Sequence, residues 1–186
     1  MKLNMSKRVG TKKGDVKAMR REGNIPAILY SQKRPTENVV VNGTEFGAII
    51  RQIEQGRLAT TVITLVDGKS EVRAIVKDIQ YHPTSYQVLH LDFEELVDGV
   101  PVKLKVPVEC TGVADCVGIK LGGFLRQVIR YVRVECEDSK NLPSNFEVDV
   151  RDLGIRQSRR LAEIPLPKGI RALTKLDEVV VVIAKR

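Results

Sequence analysis

The run ATTVITLVDGKSEVRAIVKDIQY, residues 59–81, decides the fold class. Two β-rich stretches flank Asp67-Gly68, and Asp-Gly between such stretches is a strong short-range hairpin signal. Downstream, the loop HPTSY (82–86) leads into QVLHLDFEEL (87–96). There Leu89, Leu91 and Phe93 alternate with His90, Asp92 and Glu94, the pattern of a strand with one dry face. In the preceding strand Asp78, Gln80 and His82 share a face. Pairing of the two strands would therefore gather Gln80, His82, His90 and Asp92 on one polar surface.

Upstream, ENVVVN (37–42) reads as a strand. TEFGAIIRQIEQG (44–56) reads as a helix, with Phe46, Ile49, Ile50 and Ile53 at core spacing. Before them stands KKGDVKAMRREGNIPAILY (12–30), in which GDVKAMRREGN predicts a short helix running straight into a strand, IPAILY. Asp15 suits the positive helix start and Gly23 its stop. At 3.6 residues per turn Lys13, Lys17, Arg20 and Arg21 fall within about a third of the circumference, and Val16 and Met19 are expected to be buried elsewhere. The strand then delivers Tyr30 near Lys33 and Arg34.

Charge follows this layout. The net charge is +8, and residues 1–34 hold ten Lys/Arg against Asp15 and Glu22. Residues 35–186 hold 21 of each sign and net to zero. An imbalance so localised points to a polyanionic partner for the first segment. A solubilising tail is the bland reading, but a tail has no reason to segregate cations from apolar residues or to join a sheet.

Other classes fit less well. No apolar run is long enough to span a bilayer, and MKLNMSKRVG lacks the apolar core of a secretory signal, so a cytoplasmic protein is expected. Cys110, Cys116 and Cys136 have no C-x-x-C spacing, so they read as idle thiols, with no metal and no cofactor. No Gly-rich phosphate loop or nucleophile motif accompanies His90 and Asp92. Their strand is a reading surface, an ordinary solvated face or, least in keeping, a hydrolase site. An enzyme, a small-molecule substrate and a membrane partner are not expected.

A boundary is placed near Val97–Gly99, giving domains 1–96 and 97–186. The second half carries VPVKLKVPVEC, GFLRQVIRYVRVECED, NFEVDVRDL and DEVVVVIAK as strands, with GVADCVGIKLGG and KNLPSN as loops and one helical turn in RQSRRLAEIPLP. It reads as a charge-balanced β domain for protein or shape contacts. The chain is therefore mainly β with a few short helices.

These residues carry a family resemblance. KKGDVKAMRREGNIPAILY, VDGKSEVRAIVKDIQYHP and LHLDF, in this order, resemble the bacterial 5S-rRNA-binding proteins of the large ribosomal subunit, in their long two-domain form, the CTC or general stress type. The match runs from Ser6 to Leu96 and more thinly to the end through PVKLKVPVECTG, NLP and IPLPKGI. It implies an N-terminal six-stranded β-barrel gripping an internal loop of 5S rRNA, followed by a C-terminal β-rich domain in the central protuberance among other large-subunit proteins. It maps RNA contacts onto Arg8, Lys13, Lys17, Arg20, Tyr30, Gln80, His82, His90 and Asp92; Lys12 and Arg21 join them as cations of the same segment. A basic RNA-binding stress protein not confined to the ribosome is the alternative.

Overall fold

The computed structural model describes residues 1–8, 12–68, 70–139 and 141–185. The chain divides into two compact units, Met1–Val100 and Pro101–Arg186.

In the first unit, β1 (Lys2–Lys7), α1 (Lys13–Arg21), β2 (Asn24–Tyr30), β3 (Glu37–Asn42), α2 (Gly43–Gln52), β4 (Val62–Asp67), β5 (Ser70–Tyr81) and β6 (Val88–Glu95) follow in sequence. The six strands close into a barrel in the order β1-β3-β2-β6-β5-β4. Closure comes from β1 lying parallel to β4, with Leu3 beside Leu65. Alternation does the sorting: Leu3, Ile25, Ala27, Leu29, Val39, Val41, Ile63, Leu65, Leu91 and Phe93 all turn inward and are buried. Phe46 and Ile49 of α2 join that core, with Ile50 and Ile53 partly buried against it. Each fully buried Val, Leu, Ile or Phe among them stabilises the fold by roughly 1.5–3 kcal/mol relative to exposure.

The predicted hairpin forms, but its turn is one residue later than Asp67-Gly68. Asp67 pairs with Ser70, so Gly68 (φ +57°) is the first turn residue. Lys69 lies outside the described residues, as does Lys140 in the KNLPSN stretch. The α2 helix is shorter than the sequence suggests: Ile53 is already extended, with φ −92° and ψ 134°. Its start is firm, since the Asn42 side chain accepts from the Thr44 and Glu45 amides at 2.8 and 3.2 Å.

The second unit contains β7 (Val102–Thr111), a four-residue α3 (Val117–Lys120), β8 (Gly123–Gln127), β9 (Tyr131–Cys136), β10 (Phe146–Asp149), β11 (Ser158–Arg160), β12 (Ile170–Ala172) and β13 (Val179–Lys185). One sheet has the order β10-β7-β9-β12 and another β11-β13-β8. The run GFLRQVIRYVRVECED forms two strands, β8 and β9, which break at 128–130 and serve two sheets. Within GVADCVGIKLGG, read as a loop, α3 forms; four residues are too few for a helical period to show. Gly118 is required there, because a Cβ would meet Ile183 Cγ2 at 2.8 Å and the Leu153 carbonyl oxygen at 2.9 Å.

Candidate nucleic-acid interface

Strand register fixes which side chains meet on the outer barrel face. Antiparallel β5 and β6 place Gln80 opposite His90 and Asp78 opposite Asp92. Parallel β2 places Ile28 beside Asp92 and Tyr30 beside Glu94. Continuing across β3, Ile28 pairs with Asn38, whose carbonyl accepts from the Arg8 amide at 2.9 Å. One row therefore reads Arg8, Asn38, Ile28, Asp92, Asp78. Three strand spacings, about 14 Å along the curved sheet, separate Arg8 from Asp92.

Each predicted residue has a defined setting. Asp92 Oδ1 accepts from His90 Nδ1 at 2.8 Å, which fixes the ring and leaves Nε2 to a ligand. His82 falls just beyond β5 and belongs to the turn rather than to the Gln80–His90 row. Its Nδ1 accepts from the Thr84 and Ser85 amides, both at 3.3 Å. Tyr30 is half-buried, and its hydroxyl is pushed up to about 12 by burial first, then by Glu94, Asp92 and Asp78. It therefore stays a protonated donor at any working pH. Nearby, Lys77 pairs with Glu94, and Arg34 lies 3.7 Å from Glu95.

The cationic helix is docked less deeply than its apolar residues suggest. No residue of α1 is buried, and Val16 and Met19 are half-buried. What ties the helix down is Arg20, whose Nε and a terminal nitrogen donate to the Leu89 carbonyl at 3.1 and 2.8 Å. On the helical wheel Arg20 borders Val16, so it faces the barrel edge, whereas Lys13, Lys17 and Arg21 continue around the exposed side. Lys12 occupies the residue before the helix, and all four of these other cations are exposed. Because Leu89 precedes His90, the clamp sets the cations next to the Gln80–His90 row. Arg8, at the far end of the face, donates to Asn38 Oδ1 at 3.0 Å. Pro26, on the outer side of β2, is buried where α1 lies against that strand.

Sequence reasoning left out Asp78 on this surface and Tyr86 in the turn that adjoins it. Asp78, noticed on the strand face but not placed among the contacts, directly opposes Asp92. Tyr86 is 77 % exposed and held at φ +55°, an unusual conformation for a tyrosine. Its amide donates to the His82 carbonyl at 2.9 Å. An aromatic closing the turn-forming HPTSY loop was the available signal.

The arrangement is suited to binding rather than to bond chemistry. Like charges directly opposite across strands are destabilising, so the Asp78–Asp92 pair costs the barrel stability that a hydrogen-bonding ligand can recover. Among the described residues no group of three His, Cys, Asp or Glu could hold a metal, and no helix is long and apolar enough to cross a membrane. Cys116 and Cys136 are buried, and burial pushes the Cys110 and Cys136 thiols up, away from thiolate chemistry.

Two family models match the chain. The ribosomal L25p family covers residues 3–93, and the C-terminal domain of ribosomal protein TL5 covers residues 101–186. Among curated proteins the chain is similar to the large ribosomal subunit protein bL25 of Chlamydia trachomatis serovar L2, 48% identical over 186 residues and the full length of both chains. The bL25 proteins of Chlamydia muridarum and Chlamydia pneumoniae are 47% and 44% identical, also over full length.

Proposed function

Because the chain belongs to the ribosomal L25p family, and so is a structural protein of the large ribosomal subunit, we propose that its barrel face binds 5S rRNA within the central protuberance. The observation that carries this reading is the juxtaposition at Leu89–His90, where Arg20 anchors a cationic helix beside a face bearing Gln80, His90, Asp78 and Asp92. Regular RNA duplexes hide their base edges in a deep, narrow major groove, whereas internal loops expose them. Lys12, Lys13, Lys17 and Arg21 hold phosphates and set the register. Gln80, the His90 ring and the two carboxylates hydrogen-bond to base edges and 2′-hydroxyls. Tyr30 and His82 donate at the margins, and Arg8 reaches the backbone beyond Asn38. His90 and Asp92 thus have a binding role and no catalytic one. Other large-subunit proteins of the protuberance are the remaining partners.

Crosslinking in cells followed by sequencing of the attached RNA tests this. One dominant 5S fragment, lost on His90→Ala with Asp92→Ala, is the expected result. Crosslinks spread over many RNAs would instead support a general basic RNA-binding protein.

A further inference from the structure

The zero net charge of residues 35–186 conceals two opposite excesses. Residues 35–100 hold five Lys/Arg against ten Asp/Glu, a net of −5, whereas residues 101–186 hold sixteen against eleven, a net of +5. The second unit is therefore not charge-balanced, and its register shows where part of that excess sits. Antiparallel β7 and β9 place Lys105 directly opposite Arg133, and Lys103 opposite Glu135. The next strand, β12, places Arg171 against Glu135 from the other side. Lys103, Lys105, Arg133 and Arg171 are all exposed on one sheet face. Tyr131, on the same side of β9, is 48 % exposed. Among the described residues Lys105, Arg133 and Arg171 form no ion pair. Glu135 is the carboxylate set among these cations, and Glu109 further along β7 accepts from Asn145 at 2.8 Å.

From this we infer that the β7-β9-β12 face of the second unit is an independent docking site for the phosphate backbone of RNA. Opposed cations on neighbouring strands repel each other and cost stability unless something anionic lies over them. A flat cationic patch with an exposed aromatic at its edge matches sugar–phosphate recognition, which needs charge and little shape. The contrast with the barrel is chemical. There the opposed pair is two carboxylates, fit to accept from bases; here it is two cations, fit to bind phosphates. The inference goes beyond 5S recognition and does not depend on which RNA the barrel selects.

The test uses the full chain and a plain RNA duplex without an internal loop, with poly-glutamate as a second probe. In a Lys13→Ala, Lys17→Ala background, adding Lys105→Ala, Arg133→Ala and Arg171→Ala should flatten the log–log salt dependence of duplex binding by roughly two further units. A single Lys105→Glu separates function from folding. It sets opposite charges across β7 and β9, so the urea midpoint should hold or rise while duplex binding falls. An unchanged duplex slope overturns the proposal. So does weaker binding to poly-glutamate with duplex binding intact, since the face would then belong to an acidic protein.

Discussion

Asp92 carries two duties that its mutants can separate. It accepts from His90 Nδ1 at 2.8 Å and it faces Asp78 across the strands. Removing a negative charge near phosphate strengthens binding to any RNA by electrostatics alone. If Asp92 instead orients the reading ring, Asp92→Ala should weaken binding to 5S rRNA by about 1–3 kcal/mol, on the scale of one base contact, while plain duplex binding holds or rises. Tighter binding of the variant to both RNAs would reduce the strand to a solvated face. Tyr30 makes a different prediction, in pH. Its folded pKa is about 12 against an ordinary 10.0, so the unfolded chain loses this proton first. The stabilisation is complete below pH 10 and lost as pH rises toward 12. Urea midpoints at pH 9 and pH 11 should therefore fall less in Tyr30→Phe than in the parent. Equal falls would show that this hydroxyl does not carry the difference.

At the scale of elements, α1 and α2 are welded where Gly43 passes the carbonyl of Gly23. The Gly43 amide donates to that oxygen at 3.0 Å, and a Cβ on Gly43 would sit 2.5 Å from it. Gly43→Ala should cost about 1–3 kcal/mol of stability by urea denaturation, because backbone must move to relieve the clash. Lys13→Ala with Lys17→Ala should leave the urea midpoint unchanged while flattening the salt slope. The sequence made most barrel elements legible for physical reasons. The hairpin, β3, α2 and β6 bury one face against a single core, so their periods of 2 and 3.6 survive intact. It was silent on β11 and β12, three residues each, which are too short to show alternation. β1 was likewise unreadable, since KLNMSK has only Leu3 buried and is a strand because β3 and β4 flank it. The candidate site was half legible. The alternation within LHLDF named His90 and Asp92, but strand register alone reveals that Asp78 faces Asp92. Arg20, counted among the RNA-contacting cations, also donates to the Leu89 carbonyl, a contact no spacing in the sequence announces.

At the scale of the whole molecule, the proposed division of labour, with the first unit reading RNA and the second holding it, can be tested on a fragment. A fragment of residues 1–100 should keep its preference for 5S rRNA over plain duplex, while its salt slope is flatter than that of the full chain. Loss of the preference would mean that the second unit takes part in reading. The parallel seam between β1 and β4 has a consequence for how the protein is made. Lys7 leaves the peptidyl-transfer centre 55 residues ahead of Val62. At about 5–20 residues per second the first strand waits roughly 3–11 s for β4, its parallel neighbour. During that interval Lys2, Asn4 and Ser6 keep one side of the waiting strand polar, which protects it from premature association with other nascent chains. The β1–β4 seam is thus timed by translation, and the ring as a whole closes only once β6 can pair with both β2 and β5.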